Sequence, residues 1–104
     1  MSERIEKLKS FLAQSPEDSF LNHALALEYI KAGHDSEARL LFESTMRREP
    51  GYVATYYHLG KLLERSGDSQ AAISTYEAGM EIAKAAGDQH SYNELRGAYE
   101  DLVY

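Results

Sequence analysis

Shifted by 34 residues, the sequence falls into register with itself: Pro16 pairs with Pro50, Leu25 with Leu59, Gly33 with Gly67, Ala38 with Ala72, Glu43 with Glu77 and Met46 with Met80. A period of that length marks a stacked helical repeat, one helix-turn-helix unit per period. A single unit cannot bury its own apolar face, so neighbours must stack, and stacking leaves an extended surface open for binding. The period therefore favours a chain that holds a partner over one that transforms a substrate.

Apolar side chains recur at helical spacing along almost the whole chain. Ile5, Leu8, Phe11 and Leu12 define a short amphipathic helix between Ser2 and Ser15. Ser15-Pro16-Glu17-Asp18 reads as an N-cap serine, a proline at the first helical position and a first turn of acids, opening a second helix to about Lys31. Gly33 ends it, and Asp35 or Ser36 is the expected cap of a third helix that carries Ala38, Leu41, Phe42, Thr45 and Met46 and stops at Glu49-Pro50-Gly51. The pattern returns as a fourth helix from about Tyr52 to Arg65 and a fifth from about Gln70 to Ala86. Beyond Gly87-Asp88, Tyr92, Leu95, Tyr99, Leu102 and Val103 stripe a last helix, with Ser91 and Glu94 as its expected capping box. No strand is needed. The short connections imply antiparallel hairpins.

Composition removes several function classes. At 104 residues the chain fits one small domain that buries roughly 65% of its unfolded surface. With no cysteine, disulfides and thiolate metal sites are excluded and a reducing compartment is the default. Eleven Lys and Arg stand against 17 Asp and Glu, a net charge of −6, which argues against nucleic acid because that affinity rests on cationic contacts. No apolar run is long enough for a signal peptide core or a membrane span, so the expectation is a cytoplasmic chain with no membrane partner. Residues 1 to 15 are mildly basic and residues 87 to 104 acidic, a distribution suited to head-to-tail stacking or to two solvated ends.

In the second copy Tyr56, Leu59-Gly60, Leu63, Gly67-Asp68, Ala72, Tyr76 and Gly79, and in the first Asn22, Leu25-Ala26, Tyr29, Gly33, Ala38, Phe42, Thr45 and Pro50, resemble the tetratricopeptide repeat pattern. The small residues let helices approach, and Phe42 and Tyr76 fill the spaces between them. Lys84 stands where that pattern asks for proline, and two extra residues precede the last helix, which reads as a lengthened fifth helix. The resemblance implies an all-α fold of about six helices in a right-handed superhelix of helical hairpins. Residues 1–15 would form an N-terminal capping helix, 19–52 repeat one, 53–86 repeat two and 88–104 a C-terminal capping helix.

In tetratricopeptide repeats the first helix of each pair lines a concave groove. Carried over by position, the resemblance places Phe20, His23, Leu27 and Lys31 there from the first copy, Tyr57, His58, Lys61 and Arg65 from the second, and His90, Asn93 and Glu94 from the last helix. The expected function is a protein-interaction adaptor or scaffold that takes a peptide or partner surface. Phe20 and Leu27 would be its apolar anchor, unless the N-terminal helix covers them together with Ile30. Tyr57 is expected at the surface because Tyr56 already occupies the packing position. The Lys and Asn clamp with which some family members hold acidic tails is not carried over, because His23 and Leu27 occupy those places. A weak homodimer through apolar helix faces is the second reading. A metal or small-ligand site on His23, His58 and His90 is the third, although no ligand pair has the i, i+4 spacing of a helical metal site. Glu43 and Glu77 read as a solvated outer face. No cofactor is expected, and no nucleophile elbow, phosphate loop or H-E-x-x-H motif points to an enzyme.

Overall fold

Three glycines fix where helices stop. Gly33, Gly67 and Gly87 have φ of 82°, 86° and 70°, the left-handed region that a side chain with a Cβ rarely adopts. Each lets the following amide reach back five residues: His34 N–H donates to the Tyr29 carbonyl at 2.8 Å, Asp68 to Leu63 at 2.9 Å and Asp88 to Ala83 at 2.9 Å. The computed structural model describes residues 2–104 and contains α1 (Glu3–Gln14), α2 (Ser19–Lys31), α3 (Asp35–Arg48), α4 (Ala54–Arg65), α5 (Ser69–Ala86) and α6 (Gln89–Val103), with no strand among the described residues. The fold is the all-α helical-hairpin class that the period implies. The helices form two compact units, one ending at Glu49 and holding α1 to α3, the other beginning at Pro50 and holding α4 to α6.

Helix starts differ from the expectation in four places. Ser15 does not cap α2: its amide closes α1 on the Phe11 carbonyl, Pro16 and Glu17 form a turn, and Asp18 accepts from the Leu21 amide at 2.9 Å. Neither Asp35 nor Ser36 caps α3. His34 holds that position with no side-chain cap bond, while Asp35 and Glu37 place negative charge in the first turn, where the helix dipole favours it. α4 begins at Ala54 because Pro50 to Val53 turn so that the Tyr56 hydroxyl can donate to the Pro50 carbonyl at 2.5 Å. The Ser91 and Glu94 box is replaced by Asp88, which accepts from both the Ser91 amide at 3.1 Å and the Ser91 hydroxyl at 2.7 Å.

In the first unit α2 packs against α1 and α3, burying Ile5 and Leu8 of α1, Leu25, Ala26 and Tyr29 of α2, and Ala38 and Phe42 of α3. In the second, α5 packs against α4 and α6, and α6 also touches α4. Its centre is Tyr76, fully buried on α5 over Gly60 of α4. A Cβ at Gly60 would overlap Tyr76 Cε1 and lie 2.7 Å from Cδ1 and Cζ; one at Gly79 would lie 2.6 Å from Tyr56 Cβ and 3.0 Å from a Leu95 methyl. Both contacts are closer than any real Cβ tolerates, so glycine here is a packing requirement.

The two copies share one polar tie made by different residues. Asn22 Nδ2 donates to the Pro16 carbonyl at 3.1 Å, and 34 positions on the Tyr56 hydroxyl donates to the Pro50 carbonyl. Each bond pins the turn before a hairpin to the hairpin's first helix. In the first unit the Ser19 hydroxyl adds a bond to the Glu49 carboxylate at 2.5 Å, joining the start of α2 to the end of α3.

Gly60→Ala would gain helix propensity yet overpack the Tyr76 ring, and the net expectation is a loss of about 1–3 kcal/mol in chemical denaturation. His34→Asn supplies the side-chain cap that α3 lacks. It is expected to stabilise by about 1 kcal/mol, read as a rise of roughly 4–8 °C in melting temperature.

Candidate functional site

In the second unit α4 and α6 lie side by side, and the residues that α4 does not turn toward α5 form one continuous polar face. Tyr56, Leu59, Gly60 and Leu63 point into the core, so Tyr57, Lys61 and Glu64, at steps of four and three, follow one another outside it. The Lys61 ammonium sits 5.7 Å from the Tyr57 ring centroid and 3.6 Å from a Glu64 carboxylate oxygen, and the His58 ring meets Tyr57 edge-on at 5.4 Å. From beneath, the Tyr76 hydroxyl passes Gly60 and donates to Glu64. Burial, reinforced by Glu64, raises the Tyr76 phenol far above its ordinary range, so it stays a donor. The core and the surface of this unit are thus joined through one hydroxyl.

α6 supplies the other side of the face. His90, Asn93, Glu94 and Asp101 are exposed, and the space over Gly97 is open. Asn93 accepts from the Gln89 side chain at 2.8 Å, and Arg65 is exposed at the end of α4. The Glu94 charge reaches His58, and the Asp101 charge reaches the Tyr76 phenol. Tyr57, His58 and Lys61 of α4 are therefore brought beside the acids of α6. Sequence reasoning did not foresee that Glu64 would anchor a buried phenol, because that bond depends on the ring crossing a glycine.

In the first unit α1 meets α2 on its Glu28 and Tyr29 side: Arg4 Nε is 3.0 Å from a Glu28 carboxylate oxygen, and the Lys9 ammonium lies 5.9 Å from the Tyr29 ring. The N-terminal helix leaves Phe20 uncovered, 67% exposed, with Leu27 and Ile30 half-buried. Lys31 is exposed and pairs with Glu28 at 3.2 Å. His23 is half-buried with its ring tilted against Phe42, centroids 5.6 Å apart, so it serves packing as well as the surface. Among the described residues no group of three or more His, Asp or Glu side chains is placed to hold a metal ion, and the triad of His23, His58 and His90 gains no support as a metal site.

Burial holds the His58 imidazole below its ordinary value of 6.5, and the Glu94 charge only partly opposes this. The unfolded chain therefore takes up the proton first as pH falls. The stability linked to His58 is fully present above about 6.5 and is lost as pH drops through the lowered value. His58→Gln is expected to flatten the fall in unfolding free energy below about pH 6.5, measured by urea titrations at a series of pH values; an unchanged slope would contradict the assignment.

No protein-family model matches the chain. A TPR repeat-containing protein of Pseudomonas aeruginosa is 29% identical over 91 residues, 88% of this chain and 87% of that protein. Among solved structures, the crystal structure of a tetratricopeptide repeat domain protein from Salinibacter ruber matches with a TM-score of 0.79 at 44% identity, over 82% of this chain and 94% of that one. The solution structure of a Bordetella parapertussis protein matches with a TM-score of 0.83 at 27% identity, over 98% and 89%. Helices ended by left-handed glycines, a glycine under Tyr76 with a buried alanine at the matching position of the first copy, and these likenesses have one reading: the chain belongs to the tetratricopeptide repeat family.

Proposed function

We propose that this chain is a non-enzymatic adaptor or scaffold that holds a peptide or protein surface. The tetratricopeptide fold is in general a protein-interaction module, and no helix among the described residues is long and apolar enough to cross a membrane. The observation that carries the reading is Tyr57, a half-exposed aromatic ring held between His58 and Lys61 on a face bordered by the α6 acids. An aromatic anchor restrained by its neighbours loses little freedom on binding, and such residues dominate interface energetics. The border of Glu94 and Asp101 opposite Lys61 and Arg65 would orient a bound segment by charge. Exposed Phe20 on α2, with Leu27 half-buried on the same helix, would take an apolar side chain of the partner. The cytoplasm is the compartment we assign.

Affinity capture from native extract with the wild-type chain and a folded Phe20→Glu, Tyr57→Glu, Lys61→Glu variant tests this. The expected result is a protein retained by the wild type and lost by the variant, with single substitutions at Tyr57 weakening binding by about 1–2 kcal/mol. Identical retention by both chains would overturn the assignment of the binding face.

A further inference from the structure

The core of the second unit does not need the Tyr76 hydroxyl for packing. One period earlier in the chain, Phe42 holds the matching place, is just as fully buried and has no hydroxyl. The place that matches Glu64 is also different: it is Ile30, half-buried on α2. The two copies therefore differ by an exchanged pair, Phe42 and Ile30 in the first against Tyr76 and Glu64 in the second. An apolar pair has no polar group to satisfy, and in the polar pair the hydroxyl donates to the carboxylate. A mixed pair with Tyr76 but without Glu64 would strand a buried hydroxyl.

What the hydroxyl adds is a fixed position for Glu64, and Glu64 in turn holds Lys61. Lys61 and Glu64 form an i,i+3 pair at 3.6 Å, and the lysine side chain is 42% exposed. A pair of that kind, left to itself on a helix surface, is worth little and opens readily. Here the carboxylate is tied from beneath to a buried donor, and the ammonium it draws in lies 5.7 Å from the centroid of the Tyr57 ring. In the first copy the places of Tyr57, Lys61 and Glu64 are held by His23, Leu27 and Ile30, which include no such ion pair.

We propose that Tyr76 is a positioning residue for the binding face: through Glu64 its hydroxyl holds Lys61 against Tyr57, so that both side chains meet a partner already in place. Ordering a lysine before binding removes a cost that the complex would otherwise carry. Tyr76 is fully buried and touches no partner itself. The role rests on the reading of the Tyr57 face as the binding surface, but the arrangement it describes exists in the free chain.

NMR of the free, full chain reads that arrangement. The Lys61 ε-methylene protons are expected upfield of those of Lys7 and Lys31, because the Tyr57 ring lies beside them. Tyr57→Leu is expected to remove this displacement, which assigns it to the ring. Tyr76→Phe keeps the ring over Gly60 and is expected to fold and to lose most of the displacement. Urea titrations then test the pair. Glu64→Ile alone leaves the hydroxyl without its acceptor and is expected to lower the folding equilibrium constant about tenfold. Adding Tyr76→Phe reproduces the pair of the first copy and is expected to restore most of that loss. The proposal is overturned by a Lys61 displacement that is absent from the wild type or survives Tyr76→Phe, by a Tyr76→Phe chain that does not fold, or by an equal cost of Glu64→Ile in both backgrounds. None of these results depends on a partner, so they are separate from the outcome of the capture experiment, which tests the binding face itself.

Discussion

The second unit depends on the passage of one aromatic ring across one glycine. Tyr76 can lie fully buried between α4 and α5 only because Gly60 has no Cβ to meet it, and Gly79 allows the same closeness against Tyr56 and Leu95. Once the helices are that close, the rest follows from helical geometry. Tyr56 is turned toward the turn that precedes α4, where its hydroxyl finds the Pro50 carbonyl, and its neighbour Tyr57 is rotated out of the core by about 100°. The Tyr76 hydroxyl emerges beside Glu64 and fixes that carboxylate next to Lys61. A packing requirement in the core thereby positions the polar groups on the surface.

The first unit solves the same problem with different atoms. Ala26 stands where Gly60 stands in the second copy and Phe42 where Tyr76 stands, and both are fully buried. Phe42 has no hydroxyl to carry a bond of the kind that joins Tyr76 to Glu64, and His23 packs on its ring. Asn22 and Tyr56 likewise share one task, bonding a proline carbonyl, with side chains of unlike size and chemistry. The repeat constrains where a bond must fall more tightly than which residue makes it.

Features repeated every 34 residues were legible in the sequence, and single contacts were not. The period and the apolar stripes gave six helices because each stripe must be buried, and the glycines at 33, 67 and 87 gave their ends. Helix starts were misread where a polar side chain had two local choices. Ser15 could open α2 or close α1, and Ser91 could cap α6 or donate to Asp88; in each case an aspartate outcompeted the serine for the N-cap. Whether Phe20 is covered was illegible because it turns on which side of α2 receives α1. That choice is made by Ile5 and Leu8 together with the pairing of Arg4 and Glu28, partners 24 residues apart.

The Tyr92 and Tyr99 stripe shows why a pattern of apolar residues does not by itself locate a core. Leu95 and Ala98 of the same helix are buried by α5, yet the tyrosines keep part of their rings in water. Helical spacing makes both sets look alike in the sequence; only the number of helices packed around α6 distinguishes them. Other helices divide in the same way: Leu25 and Tyr29 of α2 are buried while Phe20 of the same helix is exposed. The same residue types thus serve as core on one side of a helix and as surface on the other.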